Sequence, residues 1–195
     1  MNHSLDVAQS HKTYEVKAEK MEKGVAYLPP GEGRRSLRVF GELVTCKVTS
    51  DQTSGAYTLF EATTHPGAGP PPHVHHREDE SFYVLEGGYE FLNGRVTLRV
   101  GAGSLIYVLK GTLHAHRGVG EGVGRMLLTQ TPGGLYECFF EKAGRTMGGD
   151  DGEPPTFEDR PDVERRIVEV AAEFGIEIPP PSQTRLGVRR QAKGA

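Results

Sequence analysis

From Leu37 to about Phe140 the chain alternates between short apolar runs and turn-forming residues. "LRVFGELVTCKV", "GAYTLFEAT", "ESFYVLEG", "YEFLNG", "RVTLRVGAG", "SLIYVLKG", "LHAHRG" and "RMLLTQT" follow one another, rich in β-branched and aromatic side chains and separated by Gly, Asn or Pro. Short strands at this spacing predict an all-β sandwich or barrel. The Gly in "VFGEL" is read as a bulge. Asn93-Gly94 predicts a hairpin with positive φ at both central residues, and Glu86-Gly87-Gly88 a second turn. "FYVL" and "LIYVL" are apolar on both alternating faces. Such strands are expected to be covered on both sides, by a second sheet or by another subunit.

After the acidic stretch "GGDDGEPPTFEDRP" the period changes from two to about 3.6. Val163, Ile167, Val170, Ala171 and Phe174 fall at helical spacing with charges between them, which predicts one amphipathic helix. Pro161 suits its first turn, and Asp162 and Glu164 complement the positive end of its dipole. Gly175 is placed to end it. The chain therefore divides into an arm (1–35) with a short strand near Val25 to Leu28, a barrel (36–147), an acidic linker (148–161), a helix with its extension (162–181) and a basic, disordered tail (182–195).

Composition narrows the classes. Gly and Pro number 26 and 13 in 195 residues, consistent with many turns, and the net charge is −3. No global positive field is available for nucleic acid or anionic lipid. The apolar run Leu105 to Leu109 is too short to cross a bilayer, and "MNHSLDVAQSHKTYEV" has no apolar core of a secretory signal. Cys46 and Cys138 stand far apart, each read as a small apolar residue within a strand, and a reducing, cytoplasmic location is expected. "GVGEGVG" matches no phosphate-binding motif and reads as a loop.

The chemistry concentrates in "HPGAGPPPHVHHREDESFYVLEGG". His73 and His75 lie two apart, so on a strand their imidazoles share one face, while His76 points the other way. Glu78, Asp79 and Glu80 follow. Glu80 shares parity with Phe82 and Val84, and a carboxylate at an inward position needs a cation or donors around it. His114 and His116, about forty residues on, again share a face, and either or both can complete the set. Of the three acids only Glu80 is expected to be a ligand, so Glu78→Gln and Asp79→Asn are expected to keep metal and activity. Histidines with one carboxylate suit a single divalent transition metal per chain, Fe, Mn, Ni, Co, Cu or Zn.

"GAGPPPHVHHREDESFYVLEG" resembles the first motif of the cupins, with Gly67, His73, His75, Glu80 and Gly87 at its defining positions. "GSLIYVLKGTLHAHRG" resembles the second through Gly103, Gly111 and His114, although Leu109 stands in place of its Pro and Gly118 in place of its Asn. The resemblance implies a cupin-type double-stranded β-helix, or jelly-roll barrel, with His73, His75, Glu80 and His114 as metal ligands. Over roughly Tyr27 to Pro181 the chain resembles the single-cupin quercetin 2,3-dioxygenases of bacteria, in these blocks and in "TPGG" and "GIEIPPP". His116 stands where those proteins have an aromatic residue.

That resemblance implies a metal-dependent dioxygenase cleaving a flavonol or related phenolic enol, with the substrate hydroxyl bound to the metal as its anion and dioxygen as co-substrate. Glu80 would take the hydroxyl proton, and His116 would narrow the pocket or carry a proton. Phe82, Phe91, Leu109, Met126 and Leu128 are the candidate apolar pocket for a small aromatic substrate. The alternatives are a non-oxidative cyclase, isomerase or dehydratase, and a binding module without catalysis. A homodimer is expected, with arms or strands packed across the subunits. No nucleic-acid or membrane partner is expected.

Overall fold

The computed structural model describes residues 24–94, 96–147 and 161–180. Most of the predicted arm, the acidic linker and the basic tail lie outside these residues. The strands are β1 (Arg35–Val39), β2 (Glu42–Val48), β3 (Thr58–Thr64), β4 (Val74–His75), β5 (Asp79–Glu86), β6 (Gly88–Asn93), β7 (Val96–Gly101), β8 (Leu105–Val108), β9 (His114–Val119), β10 (Gly124–Thr131) and β11 (Ile176–Glu177). The helices are α1 (Leu135–Met147) and α2 (Pro161–Glu173). β1-β2-β3-β10-β5-β8 form a six-stranded sheet, β7-β6-β9 a three-stranded sheet, and β11-β4 a two-stranded one. All the pairings between these strands are antiparallel. The architecture is the expected jelly-roll barrel.

The inner faces follow parity. Along β3 every second residue is buried, Thr58, Phe60, Ala62 and Thr64, and along β10 it is Gly124, Met126, Leu128 and Gln130. Cross-strand register stacks these into layers: Val44, Ala62, Met126 and Val84 in one row, Cys46, Phe60, Leu128 and Phe82 in the next. Phe91 and Tyr89 fill the space from the smaller sheet. Cys46 belongs to this core, and burial pushes its thiol up to about 12.

Several expectations are corrected. Leu135–Met147 is a helix, not a strand. Tyr136, Phe139, Phe140 and Ala143 are its buried residues, at spacings of three, one and three, which is a helical stripe. Cys138 lies on this helix and is exposed. Gly41 marks a turn rather than a bulge. Phe40 and Gly41 both have positive φ, 53° and 77°, the two-residue geometry that matches strand twist. Asn93 pairs with Val96 as the last residue of β6, so the hairpin turn begins one residue later than expected, at Gly94 with φ 57°. Val25 makes a single bridge and no strand runs on to Leu28.

On the outer face of β5 and β8, Tyr83, Leu85, Leu105, Tyr107 and Leu109 are exposed, and among the described residues no second sheet covers them. α2 has the predicted stripe, with Ile167, Val170 and Ala171 buried, and Gly175 follows it with φ 76°. α1 packs on α2 and closes one end of the barrel, stacking Phe140 edge-on against Phe60 with centroids 5.1 Å apart.

Candidate metal centre

Four elements bring the predicted ligands together. His73 bridges His114, each backbone N–H donating to the other's carbonyl at 2.9 and 3.0 Å. β4 carries His75 one step further on. β5 carries Glu80, held in register between Gln130 and Val108. Each of His73, His75, Glu80 and His114 is 4% exposed or less. Their donor atoms all lie within 4.8 Å of one another, close to the span of one ion's donor set, about 4.2 Å for opposed nitrogens at 2.1 Å. Among the described residues no other His, Cys, Asp and Glu group of this kind occurs.

Hydrogen bonding fixes which atoms face inward. His73 Nδ1 lies 2.9 Å from the Pro71 carbonyl and His114 Nδ1 3.0 Å from the Thr112 carbonyl. A carbonyl only accepts, so each Nδ1 carries the proton and each Nε2 presents a lone pair. Glu80 Oε2 sits 2.6 Å from His114 Nε2 and 3.4 Å from His75 Nε2. These three inward atoms are buried without hydrogen-bond partners. Converging, unpartnered lone pairs in a dry site are what a divalent cation satisfies, so the donor set fits a metal ion.

The electrostatics agree at His73 and Glu80 and oppose the neutral ring at His114. Burial, reinforced by His114 and His75, pushes His73 well below the ordinary histidine value, which keeps it neutral. Burial by itself would raise the Glu80 carboxyl. The surrounding His75, His114 and His73 outweigh it and hold Glu80 well below the carboxylate range. Burial likewise opposes the charged form of His114, but contact with Glu80 overrides it and raises that ring.

The other predicted residues separate. His76 points outward and meets Glu177 at 3.0 Å on the surface. Asp79 accepts from the Lys110 N–H at 2.8 Å and the Tyr107 hydroxyl at 3.1 Å, away from the centre. His116 is buried on the same strand face as His114 but belongs to another cluster. Its Nε2 meets Glu42 at 3.0 Å, Thr64 donates to the same oxygen at 2.6 Å, and Tyr89 donates to Thr64 at 3.1 Å. Phe82, Phe91, Met126 and Leu128 are packed inside the barrel. Phe82 lies between the two histidines, with ring centroids 6.3 Å from His114 and 5.5 Å from His116. Leu109 does not join them. It is 60% exposed because it continues the outward parity of Leu105 and Tyr107, while Val108 turns inward.

Sequence reasoning missed four residues at or near the centre. Glu78 is buried, its Oε2 3.5 Å from His75 Nδ1, and it accepts the Tyr136 backbone N–H at 3.1 Å. Gln130 donates to Glu80 Oε1 at 3.1 Å. Tyr136 stands edge-on to His75 at 4.8 Å and to Phe60 at 6.2 Å. Burial, with Glu80, Glu42 and Glu78 nearby, pushes its phenol well above the ordinary value. Glu42 completes the His116 cluster. The signal was available for three of them. Glu78 shares parity with Glu80, Gln130 with Met126 and Leu128, and Glu42 with Val44 and Cys46.

Residues 60–129 match the Cupin_2 family model, described as a cupin domain. Over those residues the barrel is similar in sequence to a cupin domain. The matched segment holds all four cluster residues and, of the second cluster, Thr64, Tyr89 and His116, while Glu42 and Gln130 lie outside it. No curated protein matched the chain. Among solved structures, KdgF from Halomonas sp. is 20% identical over 47% of this chain and 79% of its own, with a TM-score of 0.43. A predicted oxalate decarboxylase from Thermotoga maritima is 18% identical over 47% and 80%, with a TM-score of 0.45. The cupin domain of Schizosaccharomyces pombe Cnp3 is 17% identical over 58% and 72%, with a TM-score of 0.46. No helix of the described residues is long and apolar enough to cross a membrane.

Proposed function

We propose that this chain is a metal-dependent dioxygenase acting on a flavonol-like or related phenolic enol. The observation that carries the reading is the buried set of His73, His75, His114 and Glu80, in which His75 Nε2, His114 Nε2 and Glu80 Oε2 have no hydrogen-bond partner. Such a set leaves positions on a six-coordinate ion for an exchangeable ligand. A bound first-row ion would supply Lewis acidity and a redox path to oxygen. The chain's own residues do the rest. Glu80 stands where a substrate hydroxyl proton would be released and takes it. Phe82, with its ring centroid 6.3 Å from that of His114, and Phe91 behind it form the apolar wall beside the centre.

Access is proposed from the α1 side. A cavity of about 210 Å³ lies beneath α1, lined by Leu37, Val44, Cys46, Phe60 and Phe140 with Glu137 at its polar edge. Tyr136 touches both Phe60 and His75, so its ring divides that cavity from the centre. In this reading Tyr136 turns aside to admit a flat substrate. The test is oxygen uptake by protein loaded with each metal in turn, screened with flavonols and phenolic acids. Stoichiometric uptake with ring cleavage supports the reading. Metal-loaded protein that binds these compounds without consuming oxygen rejects it.

The buried His116–Glu42 pair favours one alternative, a non-oxidative isomerase or dehydratase, because a histidine oriented by a carboxylate is a proton carrier. Turnover of an enolisable substrate without oxygen uptake would select it. The homodimer remains part of the proposal, with the exposed Leu105–Tyr107 face as its contact. A single-chain mass by light scattering at micromolar concentration rejects that part.

A further inference from the structure

We infer that Gln130 is a positioning residue that keeps Glu80 a one-oxygen metal ligand and offers its own carbonyl oxygen to a protic ligand in the ion's open position. Gln130 is fully buried on β10, directly paired with Glu80 on β5. Its Nε2 lies 3.1 Å from Glu80 Oε1. A carboxylate only accepts, so the amide must turn its NH₂ toward Glu80. That bond occupies Oε1 and leaves Oε2 for the ion, the same oxygen that lies 2.6 Å from His114 Nε2 and 3.4 Å from His75 Nε2.

The other end of the amide is fixed by the same choice. Gln130 Oε1 is buried with no hydrogen-bond partner. Leaving a buried acceptor unmade costs about 1–3 kcal/mol. Setting aside the atoms of the cluster itself, His116 Nδ1 is the other buried side-chain atom in this state. Both are acceptors. For His116 this follows from its neighbours, because Thr64 and Tyr89 send their protons toward Glu42, and Glu42 therefore takes the Nε2 proton of His116. The barrel thus offers acceptors and asks for donors. Water, an alcohol or a phenol on the ion satisfies Gln130 Oε1, and an aprotic ligand does not. The inference holds whichever reaction the centre carries.

Two measurements test it without turnover. In zinc-loaded protein carrying ¹³C-labelled glutamate, the metal-induced infrared difference spectrum should contain the wide separation of carboxylate stretches expected of one-oxygen ligation, absent in Glu80→Gln. A narrow, two-oxygen separation overturns the inference, and this measurement needs no change at Gln130. In cobalt-loaded protein, phenol titrated by visible absorbance reports the open position. Gln130→Leu and Gln130→Met, each keeping the volume, should still bind one cobalt per chain. Both should bind phenol at least about tenfold more weakly, in line with the 10–100-fold effects of outer-shell partners, because the acceptor for its hydroxyl is lost and the released Glu80 Oε1 takes the open position. Unchanged phenol affinity and an unchanged cobalt spectrum in both variants would make Gln130 a filler only and overturn it.

Discussion

Glu80 and Glu42 are both carboxylates buried against histidines, and their two sites are built in opposite ways. Around Glu80, the imidazole protons of His73 and His114 are committed to backbone carbonyls. Apart from the Gln130 amide, which donates to Oε1, the atoms that face Glu80 bring lone pairs, and Oε2 has no partner until a cation enters. Around Glu42, Thr64, Tyr89 and His116 bring protons, and the carboxylate is satisfied from within. Burial and residue type are nearly the same in both. What differs is where the protons go, and that difference separates a metal centre from an internal hydrogen-bond network.

The largest effect should come from emptying the first layer. With metal at 100 times its Kd, binding stabilises the fold by about 2.7 kcal/mol, so chelation should lower Tm by about 5–11 °C for a chain of this size. His114→Ala should bind metal too weakly to respond to chelator. Scanning calorimetry with and without chelator on both proteins checks this, and an equal response in His114→Ala would break the contrast.

Glu42→Leu should have an effect of similar size. It removes the acceptor from the second layer and leaves buried donors on His116 and Thr64, at about 1–3 kcal/mol for each one left unpaired. Denaturant unfolding should register that loss while metal content stays at one per chain. Loss of metal in this variant would mean the two layers are coupled rather than independent.

Glu78→Gln tests the support of the first layer. The sequence reading expected it to be silent. Its place beside His75 Nδ1 now predicts metal affinity lower by about tenfold, measured by competition with a chromophoric chelator. The smallest effect belongs to His76→Ala. It breaks an exposed pair with Glu177 and should change stability by less than about 0.5 kcal/mol, with metal content unchanged. A metal-deficient His76→Ala would overturn the assignment of faces along this segment.

The contrast also explains what was legible beforehand. The period of two set the strands, and parity placed His73, His75, Glu80 and His114 on inward faces. The same rule applied to Glu42, Glu78 and Gln130 would have found them too. They went unread because a lone polar residue in an apolar strand carries no motif, and its partners come from strands far away in sequence. Parity failed at Leu109, where both faces of "LIYVL" are apolar and hydrophobicity cannot say which is inside. α1 went unread because "LYECFF" is rich in residues that favour strands. Its helical stripe of Tyr136, Phe139, Phe140 and Ala143 competes with that local preference, and packing against Phe60 and α2 decides for the helix.

β11 joins the ligand strand to a segment about a hundred residues downstream. Ile176 pairs with His75 and Glu177 with Val74, and His76 donates its N–H to the Gly175 carbonyl at 3.0 Å. On the other side the His75 carbonyl accepts from the Gly111 N–H at 2.7 Å. During synthesis all four ligands therefore leave the ribosome well before the strand that braces them. A nascent chain released before residue 177 would carry every metal-binding side chain with β4 held along one edge. In such a chain His75 would lack the pairing that braces it from the far side, so the frame of the cluster closes only once residue 177 has been made.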